Sequence, residues 1–261
     1  MKKLLLFTLT ALLIVSCNKD DDSGTSKFND LDHFYQNANE LRIEIAYEVG
    51  AEPYINSGST NYWDFSEKNL EALFDGRSNP IEVNIPKQLN QMNEIPNQGK
   101  SSYTSNDIRE LASTYQIQES DAEKSVVLLL FLDGYFNRNG EEQTNFLGVS
   151  VGDFVVAIFK PVVESIPTGV FDNPRPSIEQ GTVVHEIGHA LGLVNGGVDM
   201  VEDHHDVQNG EHCTNQDCVM YWLNEGATDM SNFVTGGLFG GSEPPIVFGP
   251  ECLNDTRNYL N

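Results

Sequence analysis

The sequence is short of positive charge. Across 261 residues, 15 Lys and Arg face 39 Asp and Glu, a formal charge of −24. Such a surface repels phosphate backbones and argues against nucleic acid as a partner; it favours solubility, cations or basic substrates. Long apolar runs are also missing. The run at residues 4–15 is too short to cross a bilayer as a helix and has the length of a signal-peptide core. No internal repeat is visible. Cysteine is sparse, four in all, at Cys17, Cys213, Cys218 and Cys252.

The N-terminus reads "MKKLLLFTLTALLIVSC". Two lysines, an apolar core, a small Ser16 and then Cys17 resemble the lipobox of bacterial lipoproteins, in which cleavage exposes the cysteine for acylation. The division that follows is a signal peptide over 1–16, a lipidated Cys17 with an acidic flexible tether over 17–27, and one catalytic domain over 28–261. "NKDDDSGTSK" carries no apolar anchor and reads as a solvated linker. The implied location is exported and lipid-anchored, at the outer membrane or cell surface. In that setting the three remaining cysteines are an odd number: one thiol is free, or all three serve a metal. One disulfide plus a buried thiol is the simpler expectation.

Along the domain, "ELRIEIAYEVG" alternates Leu41, Ile43, Ile45, Tyr47 and Val49, the period of a half-buried strand. "DFSEKNLEALFDG" reads as a helix capped at Asp64 or Ser66, and "TSNDIRELASTYQI" as one capped at Ser105 or Asn106. The short "IEVNI" is a strand. The apolar run at 126–132 predicts a central strand buried on both faces. "NFLGVSVGDFVVAIFKP" predicts a hairpin around Gly152 and Asp153. A helix over roughly 177–194 follows, then little regular structure until "ECLNDTRNYL". This order gives an α+β domain with a mixed sheet and the motif helix packed against it.

That helix contains "TVVHEIGHALGLVNGG". His185 and His189 are four apart, so both project from one helical face and can hold one ion, with Glu186 beside them. Catalytic zinc usually takes three protein ligands and leaves a fourth position for water. A third ligand three residues after Gly192 would be Asn195, a poor one.

Here the chain resembles the metzincin zinc peptidases, which continue H-E-x-x-H-x-x-G-x-x-H and carry a later methionine turn. His185, Glu186, His189 and Gly192 match, and Asn195 departs. Further on, "EHCTNQDCVMYW" is similar to the archaemetzincin branch, where the third zinc histidine precedes Cys-x4-Cys-Val-Met. The resemblance spans about 40 residues, 182–222. It implies an insertion over roughly 194–211, with His212 as the displaced third ligand of one catalytic zinc and Met220 as an apolar floor. Rival ligands are His205, His204, Asn195 and the carboxylates Asp199, Asp203 and Asp206. Glu202, Glu211 or Glu225 would give a thermolysin-like pattern.

The resemblance does not reach the archaemetzincins' later paired cysteines. Only Cys252 stands there, so a four-cysteine zinc site is not expected; a Cys213–Cys218 disulfide, or Cys252 paired with either, takes its place. What the resemblance implies is peptide-bond hydrolysis through a zinc-bound water, with Glu186 as general base and a protein or peptide as substrate. A zincin-type surface module that binds without catalysis is the competing class. Tyr221 is a candidate oxyanion group or a packed aromatic, and residues 199–206 a calcium loop or a solvated insertion. The glycine-rich "VTGGLFGGSEPPIVFG" is a candidate specificity loop. Oligomeric state is not readable.

Overall fold

The apolar run at 126–132 lies at the centre of the molecule, every residue of it buried. In the computed structural model, which describes residues 28–57, 60–169, 173–235 and 244–260, it belongs to the longest sheet. The strands in chain order are β1 (Glu40–Glu48), β2 (Asn56–Ser57), β3 (Thr60–Asn61), β4 (Glu82–Asn84), β5 (Asn93–Ile95) and β6 (Ser102–Tyr103). They continue with β7 (Lys124–Leu132), β8 (Tyr135–Arg138), β9 (Glu141–Gln143), β10 (Gly148–Ser150) and β11 (Val155–Phe159). The helices are α1 (Trp63–Leu73), α2 (Ser105–Tyr115), α3 (Lys160–Ser165), α4 (Arg175–Ala190), α5 (Ala227–Thr235) and α6 (Pro250–Tyr259).

The main sheet runs β10-β11-β7-β1-β4, with β5 also paired to β1. β10 is antiparallel to β11, and the other pairs are parallel. The protein is therefore α+β with a mixed sheet. β10 and β11 form the expected hairpin, and β10 is left as an edge strand.

β1 differs from the half-buried expectation. It has β7 on one side and β4 and β5 on the other, and its second face is covered as well. That face carries Glu44 and Glu48, both buried. Glu44 accepts the backbone N–H groups of Ile117 and Gln118 just after α2. Glu48 accepts those of Gln98 and Asp133 and the Tyr103 hydroxyl. Alternating acids usually mark a wet face; here each carboxylate anchors a covering loop, so burial is compensated by hydrogen bonds.

Two helix starts also differ. α1 begins at Trp63, whose N–H bonds Asn61 Oδ1, so neither Asp64 nor Ser66 caps it. α2 is capped by Thr104 in a reciprocal box with Asp107. α5 lies in a stretch expected to be irregular. Its buried Met230 and Val234, one turn apart, pack towards Gly181 of α4.

α4 packs against α1, α5 and the β10–β11 end of the sheet. It stops at Ala190, short of the expected 194. The N–H of Leu193 reaches the Gly188 carbonyl and that of Gly192 the His189 carbonyl, at 3.1 and 3.0 Å. This double bond pattern ends a helix with one left-handed residue, and Gly192 takes that conformation at φ +76°. Among the described residues no helix is long and apolar enough to cross a membrane. The signal, Cys17 and tether fall outside the described residues, as do residues 236–243 of the glycine-rich specificity loop.

Candidate metal centre

One turn of α4 separates His185 from His189, and their Nε2 atoms lie 3.1 Å apart. His212 comes from the loop beyond the helix and places its Nε2 3.2 Å from that of His189. With a carboxylate oxygen of Glu225, all four ligand atoms lie within 4.8 Å of one another. A tetrahedral ion with bonds of ~2.0–2.1 Å spaces its nitrogens about 3.3 Å apart, so the imidazoles are set at the spacing of a shared cation.

Two backbone carbonyls fix which nitrogens face inward. His185 Nδ1 is 2.7 Å from the Val219 carbonyl, and His212 Nδ1 is 2.7 Å from that of Asn209. A carbonyl only accepts, so each Nδ1 carries the proton and each Nε2 turns a lone pair to the centre. Lone pairs crowded together repel unless a cation lies between them. Burial, then the nearby His212, lowers the His185 pKa to about 3 against the opposing Val219 bond. Burial and the other two imidazoles hold His189 well below its ordinary value. All of this favours the neutral, ligating form.

Glu186 follows His185 on the helix and is buried beside β10, where the Ser150 backbone N–H bonds its carboxylate. Its pKa is raised well above the ordinary carboxylate range, by burial first and by the charge of Glu225 second. Glu225 closes the short Trp222–Glu225 turn; its Oε1 lies 3.4 Å from His212 Nε2, and its side chain is 37% exposed. The centre opens on a cleft of about 810 Å³, lined also by Phe136, Arg138, Phe146, Ser150, Asp153 and Glu211.

Met220 lies under the same turn of helix. A Cβ on Gly188 would sit 2.5 Å from its Sδ, so only glycine lets α4 approach this closely. The other candidates fall elsewhere. Asn195 is exposed at φ +65°. His205 bonds the Gly210 carbonyl through Nε2. Asp199, Glu202, Asp203 and Glu211 are exposed, and Asp206 bonds Asn209. Among the described residues, the acids of 199–206 enter neither group able to hold a metal. Tyr221 packs against Trp222, and the cleft lining does not include it.

The expected disulfide is absent: Cys213, Cys218 and Cys252 are all free and buried. The sulfurs of Cys218 and Cys252 stay 3.6 Å apart, against ~2.05 Å for a bonded pair. A second group able to hold a metal forms from His204, Cys213 and Cys252, and the Cys218 thiol adjoins it through Cys252. From the sequence, His204 stands only as a rival ligand of the first centre. Its pairing with the thiols depends on the loop path, and Asp255, which holds its other nitrogen, is far away in sequence. Compared with known proteins, the chain matches no family model, no curated protein and no solved structure.

Proposed function

We propose that the chain is a zinc-dependent endopeptidase of metzincin type. The observation that carries the reading is the convergence of the three Nε2 atoms of His185, His189 and His212 beside the buried Glu186, at the floor of an open cleft. The position of Met220 beneath Gly188 and the antiparallel edge strand β10 are in keeping with the same arrangement.

Bound zinc supplies Lewis-acid polarisation of the scissile carbonyl and lowers the pKa of water from about 15.7 towards ~7. Glu186 takes the proton of the attacking water on its carboxylate and returns it to the departing amine nitrogen. The Ser150 N–H holds that carboxylate in place. β10 lines the cleft with Gly148, Val149 and Ser150, and an extended peptide can pair along such an edge.

A thermolysin-like set using Glu225 is the second reading, and the proximity of Glu225 to His212 motivates it. His212 is favoured because its Nδ1 is tied to a carbonyl, which fixes Nε2 as an inward donor of electrons. The N-terminal part of the proposal is acylation at Cys17, anchoring the domain at the outer membrane or cell surface. An unmodified Cys17 in mass spectra of the native protein would remove it.

The central experiment is Glu186→Gln. Zinc content stays at the wild-type level and hydrolysis of casein or a peptide library falls by about 10²-fold or more, the scale of losing a general base. Wild-type turnover in that variant rejects the mechanism. Zinc-loaded wild-type protein that cleaves no peptide rejects the peptidase reading and leaves a binding module.

A further inference from the structure

The three remaining thiols and His204 are together deep in the protein, all between 0 and 4% exposed. His204 Nδ1 is 3.2 Å from Cys213 Sγ, and the ligand atoms of His204, Cys213 and Cys252 lie within 4.8 Å of one another. Cys218 joins through Cys252, at 3.6 Å between sulfurs, and through contact with Cys213. A tetrahedral ion bonded to sulfur at ~2.3 Å and to nitrogen at ~2.0–2.1 Å spaces such donors about 3.5–3.8 Å apart.

The surroundings point the same way. Asp255 Oδ2 is 2.6 Å from His204 Nε2, and Asp255 Oδ1 accepts the Val201 N–H, so the carboxylate is held against the imidazole. The imidazole then donates from Nε2 and leaves Nδ1 as the lone-pair nitrogen facing the sulfurs, the usual outer partner of a metal-bound histidine. Backbone N–H groups point at the sulfurs as well: Gly249 N at 3.1 Å from Cys218 Sγ and Asn215 N at 3.4 Å from Cys213 Sγ. Such donors favour thiolates over thiols, and three buried thiolates require a cation. Soft sulfur with one imidazole, and no open position, is the donor set of a structural zinc.

We propose that His204, Cys213, Cys218 and Cys252 hold a second, structural zinc ion that buttresses the third histidine of the cleft. The set is three thiolates and one imidazole, and the imidazole comes from the segment that separates Gly192 from His212. Cys213 pairs in β-bridges with His205 and Tyr221, so its backbone is extended there. Neighbours in extended chain point to opposite sides, which sends His212 into the cleft and Cys213 to the second centre. The ion joins four pieces of chain: the 194–211 segment, residue 213, the turn before Met220, and α6. None of this depends on what the cleft catalyses.

Metal analysis of the purified full chain tests it. Two zinc ions per chain are expected, one remaining in the His185→Ala, His189→Ala double variant and one in Cys252→Ser. Cobalt replacement of the wild-type protein gives thiolate-to-metal absorption that persists in the double histidine variant. Native alkylation of the three thiols is at least tenfold slower without chelator than with it. His204→Ala weakens the second ion by tenfold or more, while His204→Cys keeps it with four sulfurs. Wild-type measurements stand even where a cysteine variant does not fold. No zinc left in the double histidine variant, thiols alkylated equally fast with and without chelator, or a disulfide among these cysteines in mass spectra would each overturn the proposal.

Discussion

The two clusters share a stretch of chain and differ in nearly everything else. Residues 204–220 alternate between them: His204 and Cys213 to the closed one, His212 to the cleft, Cys218 beside Cys252 at the closed one, and Met220 beneath the cleft histidines. The cleft group is all imidazole with a partly exposed carboxylate, and it opens on about 810 Å³ of space. The other is sulfur-rich, sealed, and braced by Asp255. Hard and borderline donors with a free position suit Lewis-acid chemistry; soft donors with none suit a staple. On the proposed readings, one loop would fix the geometry of the cleft by being tied down at the closed cluster.

The comparison breaks most directly at His212. His212→Ala removes one of three imidazoles, and hydrolysis is expected to fall by more than about 10²-fold along with the cleft metal, while the sulfur cluster keeps its ion. A single remaining ion with thiolate-to-cobalt absorption checks this. If both ions leave together, the two centres are not separable in the way proposed. The next effect is Cys252→Ser. Losing a structural ion removes folding free energy directly. The thermal midpoint should drop and become insensitive to added zinc at that site, with cleft affinity falling as His212 loosens. An unchanged midpoint would mean that the thiols are a packed core and nothing more.

A smaller effect is expected at Gly188→Ala. The added methyl would meet Met220 Sδ, a flexible thioether, so the helix and its floor must part by several tenths of an ångström. Overpacking of this kind costs about 1–3 kcal/mol. The expected signature is lost hydrolysis with the sulfur cluster intact, read from denaturant titration together with metal content.

Much of the frame was legible. The 126–132 run announced a central strand, Gly152 and Asp153 a hairpin, and the i, i+4 histidines a shared helical face. The remainder depended on long-range contacts. The acids of β1 looked solvent-facing because the backbone N–H groups they accept come from residues 98, 117, 118 and 133. The sulfur cluster was hidden for the same reason. Cys213 and Cys218 advertise a local loop, but Cys252 and Asp255 arrive from α6, and spacing along the chain says nothing of that approach. The end of α4 at Gly192 was readable in kind, since glycine marks helix ends. The expected end at 194 is four residues late, because Leu193 and Val194 continue the apolar pattern after the helix has stopped at Ala190.

The smallest effect expected is a control that touches neither centre. Thr104 caps α2, accepting the Asp107 N–H at 3.2 Å, and Asp107 Oδ2 accepts the Thr104 N–H and hydroxyl at 2.8 and 2.7 Å. Lys100 pairs with the other carboxylate oxygen. Lys100 first, and then the Thr104 bonds, lower the Asp107 pKa to about 2. A carboxylate held below its unfolded value stabilises the fold at pH above that value, ~3.9, and the contribution is lost as pH falls through about 2. Thr104→Ala should cost about 1 kcal/mol at neutral pH, as cap removal does. The gap from wild type should narrow as pH drops below about 4, because part of what Thr104 contributes acts through the ionised carboxylate. Denaturant titration at neutral and acid pH measures both terms, and metal content at neutral pH should still be two ions per chain. If this remote variant released the closed ion, a modest global loosening would account for the Cys252→Ser result, and the sulfur cluster would no longer count as an independent staple.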